Sequence, residues 1–349
     1  MNAYKNLVRP IAFRFPAEAA HNMAHALLSR PYLGGVFGAC NLGVSDERLK
    51  VDLGGLVAPN PVGLSAGLDK DCDMARSLTR LGFGYIVSGS VMRRPRPGNP
   101  RPRMVRAPEQ QAIYSCMGLP SQGLQYALKQ LRTRRHSAVP VVVNFNAETY
   151  QEYVEVFRAL QPVSDALEIS LFCPNRPSDS GDFLRSNLAG CLLAELVKNK
   201  KRPLFVKIPG YTTEDERRKR LELVEALRKY PIDGFTICPE GRVPDSRLSL
   251  GRGTLSGRPL FQQMLGVVRD IYALTGKDFA IKASGGIFTY RDAFSAINAG
   301  ATSVEVYSAF IYEGWAVAKA INRGLLALMN KYDVDSVQTL RGCEIELDQ

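Results

Sequence analysis

No two cysteines stand in a CxxC spacing, no apolar run approaches the roughly 18 residues needed to cross a bilayer, and only three histidines occur in 349 residues. The first absence, with an odd total of seven cysteines (40, 72, 116, 173, 191, 238 and 343), argues against a disulfide framework and a zinc knuckle, so the cysteines read as thiols. The second excludes a helical membrane span. The N-terminus also lacks an apolar h-region with a small-residue cleavage site, and a cytoplasmic protein is expected. His21 and His25 have the i, i+4 spacing of a metal pair, but no nearby Cys, Asp or further His completes a ligand set, so ordinary packing is the reading and no metal is expected. Aromatics are scarce at 9%, while 45% hydrophobic content suits a globular chain with one large core or two modest ones. The net charge of +11 comes from dispersed lysines and arginines without a nucleic-acid-binding pattern, which leaves anionic ligands or an anionic membrane surface as partners.

What is present is a regular alternation. From Pro61 onward, short apolar runs end in Gly, Ser, Asn or Lys, and a helical stretch follows each. The runs are Val62–Leu68, Tyr85–Val91, Val141–Phe145, Leu167–Phe172, Leu204–Ile208, Phe235–Cys238, Phe279–Ala283 and Val304–Tyr307. Between them, segments such as Glu216–Lys229, Leu260–Leu274 and Trp315–Lys331 have a 3.6-residue period. Eight strand–helix repeats predict an α/β fold, a (β/α)8 TIM barrel, over residues 45–340. Residues 1–40 stand apart. There Lys5, Arg9, Arg14 and Arg30 alternate with Tyr4, Phe13, Phe15, Tyr32 and Phe37 around a helical stretch Ala17–Leu28. The mixture suits a small helical extension lying in a membrane interface, and equally a helical flap on the barrel.

Active sites of such barrels are assembled at the C-terminal ends of the strands. Those ends carry Ser65-Ala-Gly-Leu-Asp-Lys70, Ser88-Gly-Ser90, Asn144-Phe-Asn146, Cys173-Pro-Asn175, Lys207, Cys238-Pro-Glu240, Ser284-Gly-Gly286 and Tyr307-Ser308. Small residues after the seventh and eighth strands, leading into a helix, form the usual phosphate-binding site of these barrels, so a phosphorylated cofactor or substrate is implied. Lys207 lies in a Leu-Phe-Val-Lys-Ile strand, where burial argues against a surface ion pair.

The stretches Asn60–Lys70, Gly98–Arg103, Met117–Pro120, Cys173–Asn175, Val206–Ile208, Leu255–Leu260, Ser284–Ile287 and Tyr307–Ala309 resemble the dihydroorotate dehydrogenase family, FMN-dependent enzymes built on a (β/α)8 barrel. The likeness runs over nearly the whole chain, and the helical N-terminus resembles the membrane-associated, quinone-reducing branch. By that resemblance Ser65, Ala66, Gly67, Ser90, Asn144 and Lys207 contact the flavin ring. Ser256, Gly257, Gly285, Gly286, Tyr307 and Ser308 hold its ribityl and phosphate end, with Ser284 completing the cofactor set. A fixed cation such as Lys207 favours the anionic reduced ring. The resemblance makes Cys173 the general acid/base, with Lys70 beside it. The substrate would meet Lys70, Ser115, Met117, Gly118, Leu119, Ser170, Asn175 and Glu240. A quinone is the implied electron acceptor.

The chain departs from the family in two places. The quinone-reducing branch has serine at the position of Cys173, and a thiol serves as a base only if nearby cations such as Lys70 or Arg176 lower its pKa. The family also grips its pyrimidine with asparagines, of which only Asn175 is kept. Ser115-Cys-Met117, Ser170 and Cys238-Pro-Glu240 stand where the others would be. Lost hydrogen-bond partners weaken a polar substrate's binding, so a small cyclic or amide-like substrate other than dihydroorotate is expected. Glu240 either meets that substrate or pairs with Arg242 at the rim. The alternatives are a quinone-dependent dihydroorotate dehydrogenase, an aldolase or isomerase barrel with Lys207 or Lys282 as the Schiff-base lysine, and a flavin-binding protein without turnover.

Overall fold

The eight apolar runs become eight parallel strands in the computed structural model, which describes residues 3–30, 43–134, 137, 139–172, 175, 184–239 and 241–343. The strands are β1 (Val62–Leu64), β2 (Tyr85–Val91), β3 (Val141–Phe145), β4 (Ala166–Ser170), β5 (Leu204–Pro209), β6 (Gly234–Cys238), β7 (Ala280–Ser284) and β8 (Ser303–Val306). Each pairs with its chain neighbours, and Val304 of β8 opposite Val62 of β1 closes the barrel. Helices cover the outside, so the strands are buried on both faces and read as continuous apolar runs; β3 and β4 are buried at every position. The (β/α)8 expectation holds. The boundaries differ most at β1, which ends at Leu64 because Ser65–Lys70 leaves the sheet to turn over the barrel mouth.

Two helix starts are set by reciprocal caps. Thr213 and Glu216 open Glu214–Leu227, and Thr289 with Asp292 opens Tyr290–Asn298. Phe261–Thr275 and Val317–Lys331 complete the periodic segments read from the sequence.

A four-stranded antiparallel sheet was not anticipated. Its strands run Gly241–Pro244, Arg252–Gly257, Ala112–Ser115 and Met104–Ala107 in spatial order, joining the excursion after β2 to the one after β6. The sheet caps the mouth. Its strands of four to six residues show little alternation, and their partners lie far away in the chain, so no local pattern announces them.

The N-terminal segment forms a π turn (Tyr4–Val8), a short helix (Arg9–Ala12) and a longer one (Ala17–Leu28). It is fastened to the barrel. The Tyr4 hydroxyl donates to the Ile311 carbonyl at 2.6 Å, Arg9 donates to the Tyr312 carbonyl at 3.0 Å, and Phe13 meets the Tyr312 ring edge-on. Glu18 accepts from both Arg101 and Arg103. Cys173, Arg176, Glu240, Tyr32 and Phe37 lie outside the described residues.

Inside the barrel one layer is polar, where branched aliphatics are usual. Lys282 of β7 donates to Glu168 of β4 at 2.6 Å and to Glu305 of β8 at 3.1 Å. Thr236 of β6 donates to Glu168, and the Tyr85 hydroxyl lies 2.9 Å from Ser303 and 3.3 Å from Glu305. Gly63 makes room for this phenol, since a Cβ there would sit 2.3 Å from the ring of Tyr85.

Candidate active site

The C-terminal strand ends and the inner edge of the cap sheet enclose an open cleft of about 1290 Å3, counted with its mouth. The turn after β1 supplies one wall through Ser65, Ala66, Gly67 and Lys70, and β2 adds Ser90. Backbone bonds stitch the two together: Gly67 N–H donates to the Gly89 carbonyl and Gly89 N–H to that of Asp69. The buried Asp69 carboxylate accepts from the Ser88 hydroxyl at 2.6 Å and the Met74 N–H at 3.0 Å; burial pushes its pKa up to about 6 against those bonds. A Cβ added to Gly67 would meet only the Tyr307 ring, at 3.8 Å, so the backbone there faces open space.

Lys207 rises from β5 into the same cleft, and Ser284 of β7 donates to the Ser65 hydroxyl at 3.1 Å. Ser256 and Gly257 of the cap sheet line the cleft together with Gly285, Gly286, Tyr307 and Ser308, with the Ser308 and Ser256 hydroxyls 3.2 Å apart. Gly286 has φ +73° and lies so close to Phe261 that a Cβ would approach it to 2.7 Å, which requires glycine there. A cation together with small hydroxyl and glycine edges on one cleft fits a flavin ring and its phosphate tail. Bound FMN would supply a two-electron acceptor.

Asn144 is the exception among the cofactor residues expected from sequence. It lies behind the wall, not on it. The Ser90 hydroxyl donates to its Oδ1, and its amide nitrogen donates to Glu168 Oε1 at 2.6 Å and Ser170 Oγ at 2.9 Å. Asn144 therefore holds Ser90 and Ser170 in place and ties them to the charged layer below.

Of the residues expected to meet a substrate, Lys70, Ser115, Met117, Gly118, Leu119, Ser170 and Asn175 all line the cleft. The Asn175 amide nitrogen donates to Thr254 Oγ1 at 3.2 Å and to the Ser115 carbonyl at 3.4 Å, so the cap sheet orients it. Lys70 is reached from outside by the N-terminal helix: its ammonium lies 3.1 Å from His21 Nε2. Burial pushes the Lys70 amine down to about 8, against the pull of Asp71. Burial, and then the Lys70 charge, takes His21 down to about 3, so a neutral imidazole accepts from the ammonium. His25 instead pairs with Asp73 at 2.9 Å, which raises its pKa.

Lys282 does not border the cleft. Burial would push its amine down, but Glu168 and Glu305 outweigh that and hold it protonated above the ordinary lysine range. An ammonium locked between two carboxylates is no nucleophile, which overturns its Schiff-base reading. Thr254 and Glu305 are cleft residues that the sequence reading missed. The signal for Glu305 was visible, since a charge inside the buried run Ser303-Val-Glu-Val needs a partner.

A family model described as "Dihydroorotate dehydrogenase" matches residues 48–329. The chain is 36% identical to "Dihydroorotate dehydrogenase (quinone)" of Roseiflexus sp. (strain RS-1), over 98% of this chain and 99% of that one. It is 31% identical to a protein of the same name from Rhizobium etli (strain CIAT 652), over 99% and 98%. Its structure is similar to that of DHODH from Eimeria tenella in complex with ferulenol, with a TM-score of 0.83 and 28% identity over 94% of this chain and 95% of that one.

Proposed function

Because the chain belongs to the dihydroorotate dehydrogenase family, FMN-dependent enzymes that dehydrogenate a CH–CH bond, we propose that it oxidises dihydroorotate and passes the electrons to a quinone. The observation that carries this reading is the single cleft in which Lys70, Ser170 and Asn175 share open space with Lys207 and the serine and glycine edges. Lys70 takes the substrate carboxylate, Asn175 and Ser170 take its amide groups, and Cys173 takes the proton from the carbon next to the one that loses hydride.

The expectation of a different substrate gives way to this reading. Relatives alike over their full length are named for dihydroorotate, and the serines replace asparagines with groups that still hydrogen-bond. Ser170 Oγ accepts from Asn144, which leaves its own O–H to donate into the cleft. A second reading, a smaller amide-like substrate, is favoured by Ser115, whose hydroxyl lies 3.4 Å from Thr254 Oγ1. Anaerobic titration of the oxidised holoenzyme separates them. Prompt bleaching of the flavin by micromolar dihydroorotate is expected; no bleaching by it, with bleaching by another cyclic amide, would establish the second reading.

Lys70 sets a pH dependence. Its cation is present below about pH 8 and lost above it. KM for dihydroorotate is therefore expected to rise as pH increases through 8. In Lys70→Met, KM should be high throughout and that step should vanish.

Residues 1–40 serve in this reading as a peripheral membrane and quinone-associated extension on the cytoplasmic face, beside the barrel of residues 45–340. Leu7, Ile11 and Met23 are 67%, 61% and 58% exposed, with Phe15 and Leu27 also outward, an apolar surface suited to an interface. Among the described residues no helix is long and apolar enough to cross a membrane. Changing Leu7, Ile11 and Met23 together to serine keeps the contacts of Tyr4, Arg9 and Glu18. Liposome sedimentation and quinone-dependent reoxidation should both fall sharply, with reduction by dihydroorotate unchanged. Retained liposome binding would make the extension a cover only.

A further inference from the structure

The charged layer under the cleft is an unusual use of barrel interior. Lys282, Glu168 and Glu305 are 0%, 0% and 1% exposed. Two carboxylates there face one ammonium, and the second cation that balances them electrostatically, Lys207, stands on the cleft itself. Glu305 also borders the cleft, and its Oε2 has no hydrogen-bond partner among the described residues. Asn144 links the layer upward, since its amide bonds Glu168 while Ser90 on the cleft wall bonds its oxygen. Structural packing alone would be served by aliphatics, which avoid the cost of desolvating three charges.

We infer that Glu168, Lys282 and Glu305 form a redox-positioning triad that sets how readily the flavin above it takes up electrons. The inference rests on the placement of FMN in this cleft. The physical reason is charge balance: Lys207 favours the negative charge of the reduced ring, and carboxylates beneath it offset part of that effect. Glu305, which lines the cleft and whose Oε2 has no hydrogen-bond partner among the described residues, acts most directly. Removing its charge should make reduction easier, in a low-dielectric site where one charge is felt over several ångströms.

Glu305→Gln is nearly isosteric and leaves Lys282 and Glu168 as a matched pair. Spectroelectrochemical titration of the FMN-loaded full chain reads the outcome. Glu305→Gln is expected to shift the oxidised/reduced equilibrium about tenfold toward the reduced flavin, a rise of about 30 mV for a two-electron couple. Glu168→Gln should move it in the same direction, and Lys207→Met in the opposite one. Potentials unmoved in both glutamate variants, with Lys207→Met still lowering the potential, would assign the triad to packing and overturn the inference alone. A potential indifferent to Lys207→Met and to both glutamates would overturn the placement of the flavin, and the triad's role with it. If either glutamine variant lost its flavin, the other would carry the reading.

Discussion

Cys173→Ala is expected to lower the rate of flavin reduction by dihydroorotate about 10²- to 10⁴-fold while leaving FMN bound, because a positioned general base contributes on that scale. Cys173 follows β4, whose end is fixed: the Ser170 carbonyl accepts from the Asn146 amide at 2.7 Å and from the Tyr153 hydroxyl at 2.8 Å. The end of β4 is thereby set at the cleft, which Ser170 and Lys70 both line. Cys173→Ser should retain measurable turnover, with its rate climbing to higher pH than that of the thiol, since a hydroxyl ionises later. Stopped-flow reduction across pH checks both. A reduction rate in Cys173→Ala within threefold of the parent would remove the residue from the chemistry.

Lys282→Met is expected to destabilise the protein by about 3–5 kcal/mol, the cost of leaving buried carboxylates without their counter-charge. Burial alone would push the Glu168 carboxyl up, but Lys282 and Lys207 reverse this and hold it at about 2. The native carboxyl therefore binds its proton less tightly than the unfolded one, whose pKa is near 4.5. Its contribution is complete above that value and lost as pH falls toward 2. Denaturant unfolding at neutral pH measures the loss. In a Glu168→Gln, Glu305→Gln background the same methionine should cost only a small fraction as much, because no uncompensated charge remains. Equal costs in the two backgrounds would show that Lys282 stabilises by its packing against Phe205 and Tyr85, over whose rings its ammonium sits at 4.6 and 5.6 Å.

The barrel was legible because parallel strands buried on both faces leave uninterrupted apolar runs, and each run in Val141–Phe145 or Leu204–Ile208 stops where a polar or conformationally special residue appears. The strand ends then supplied the cleft residues directly, since position at the C-terminal edge is what makes Ser65, Lys207 or Ser308 face the ligand space. Asn144 was assigned to the same surface because adjacent positions on a strand end cannot be told apart without the rotation of the side chain. Thr254 was missed for a different reason: its place on the cleft depends on pairing with Ser115, 139 residues away, a relation with no local trace. The carboxylates and ammonium of the inner layer were each visible as charges within apolar runs, whereas their mutual contact required the barrel to be closed.

The cap sheet brings the order of folding into view. Ala112–Ser115 cannot meet Arg252–Gly257 until the chain carrying β3 to β6 has been laid down between them, so this pairing is among the most non-local in the protein. Such contacts form late, because the loop they close is long before any bond rewards it. Ser256 lies on this late element while its neighbour Ser308 follows β8, the last stave of the barrel. A ligand seated between those two hydroxyls would bind only the finished fold, and by mass action it would hold this long-range pairing shut.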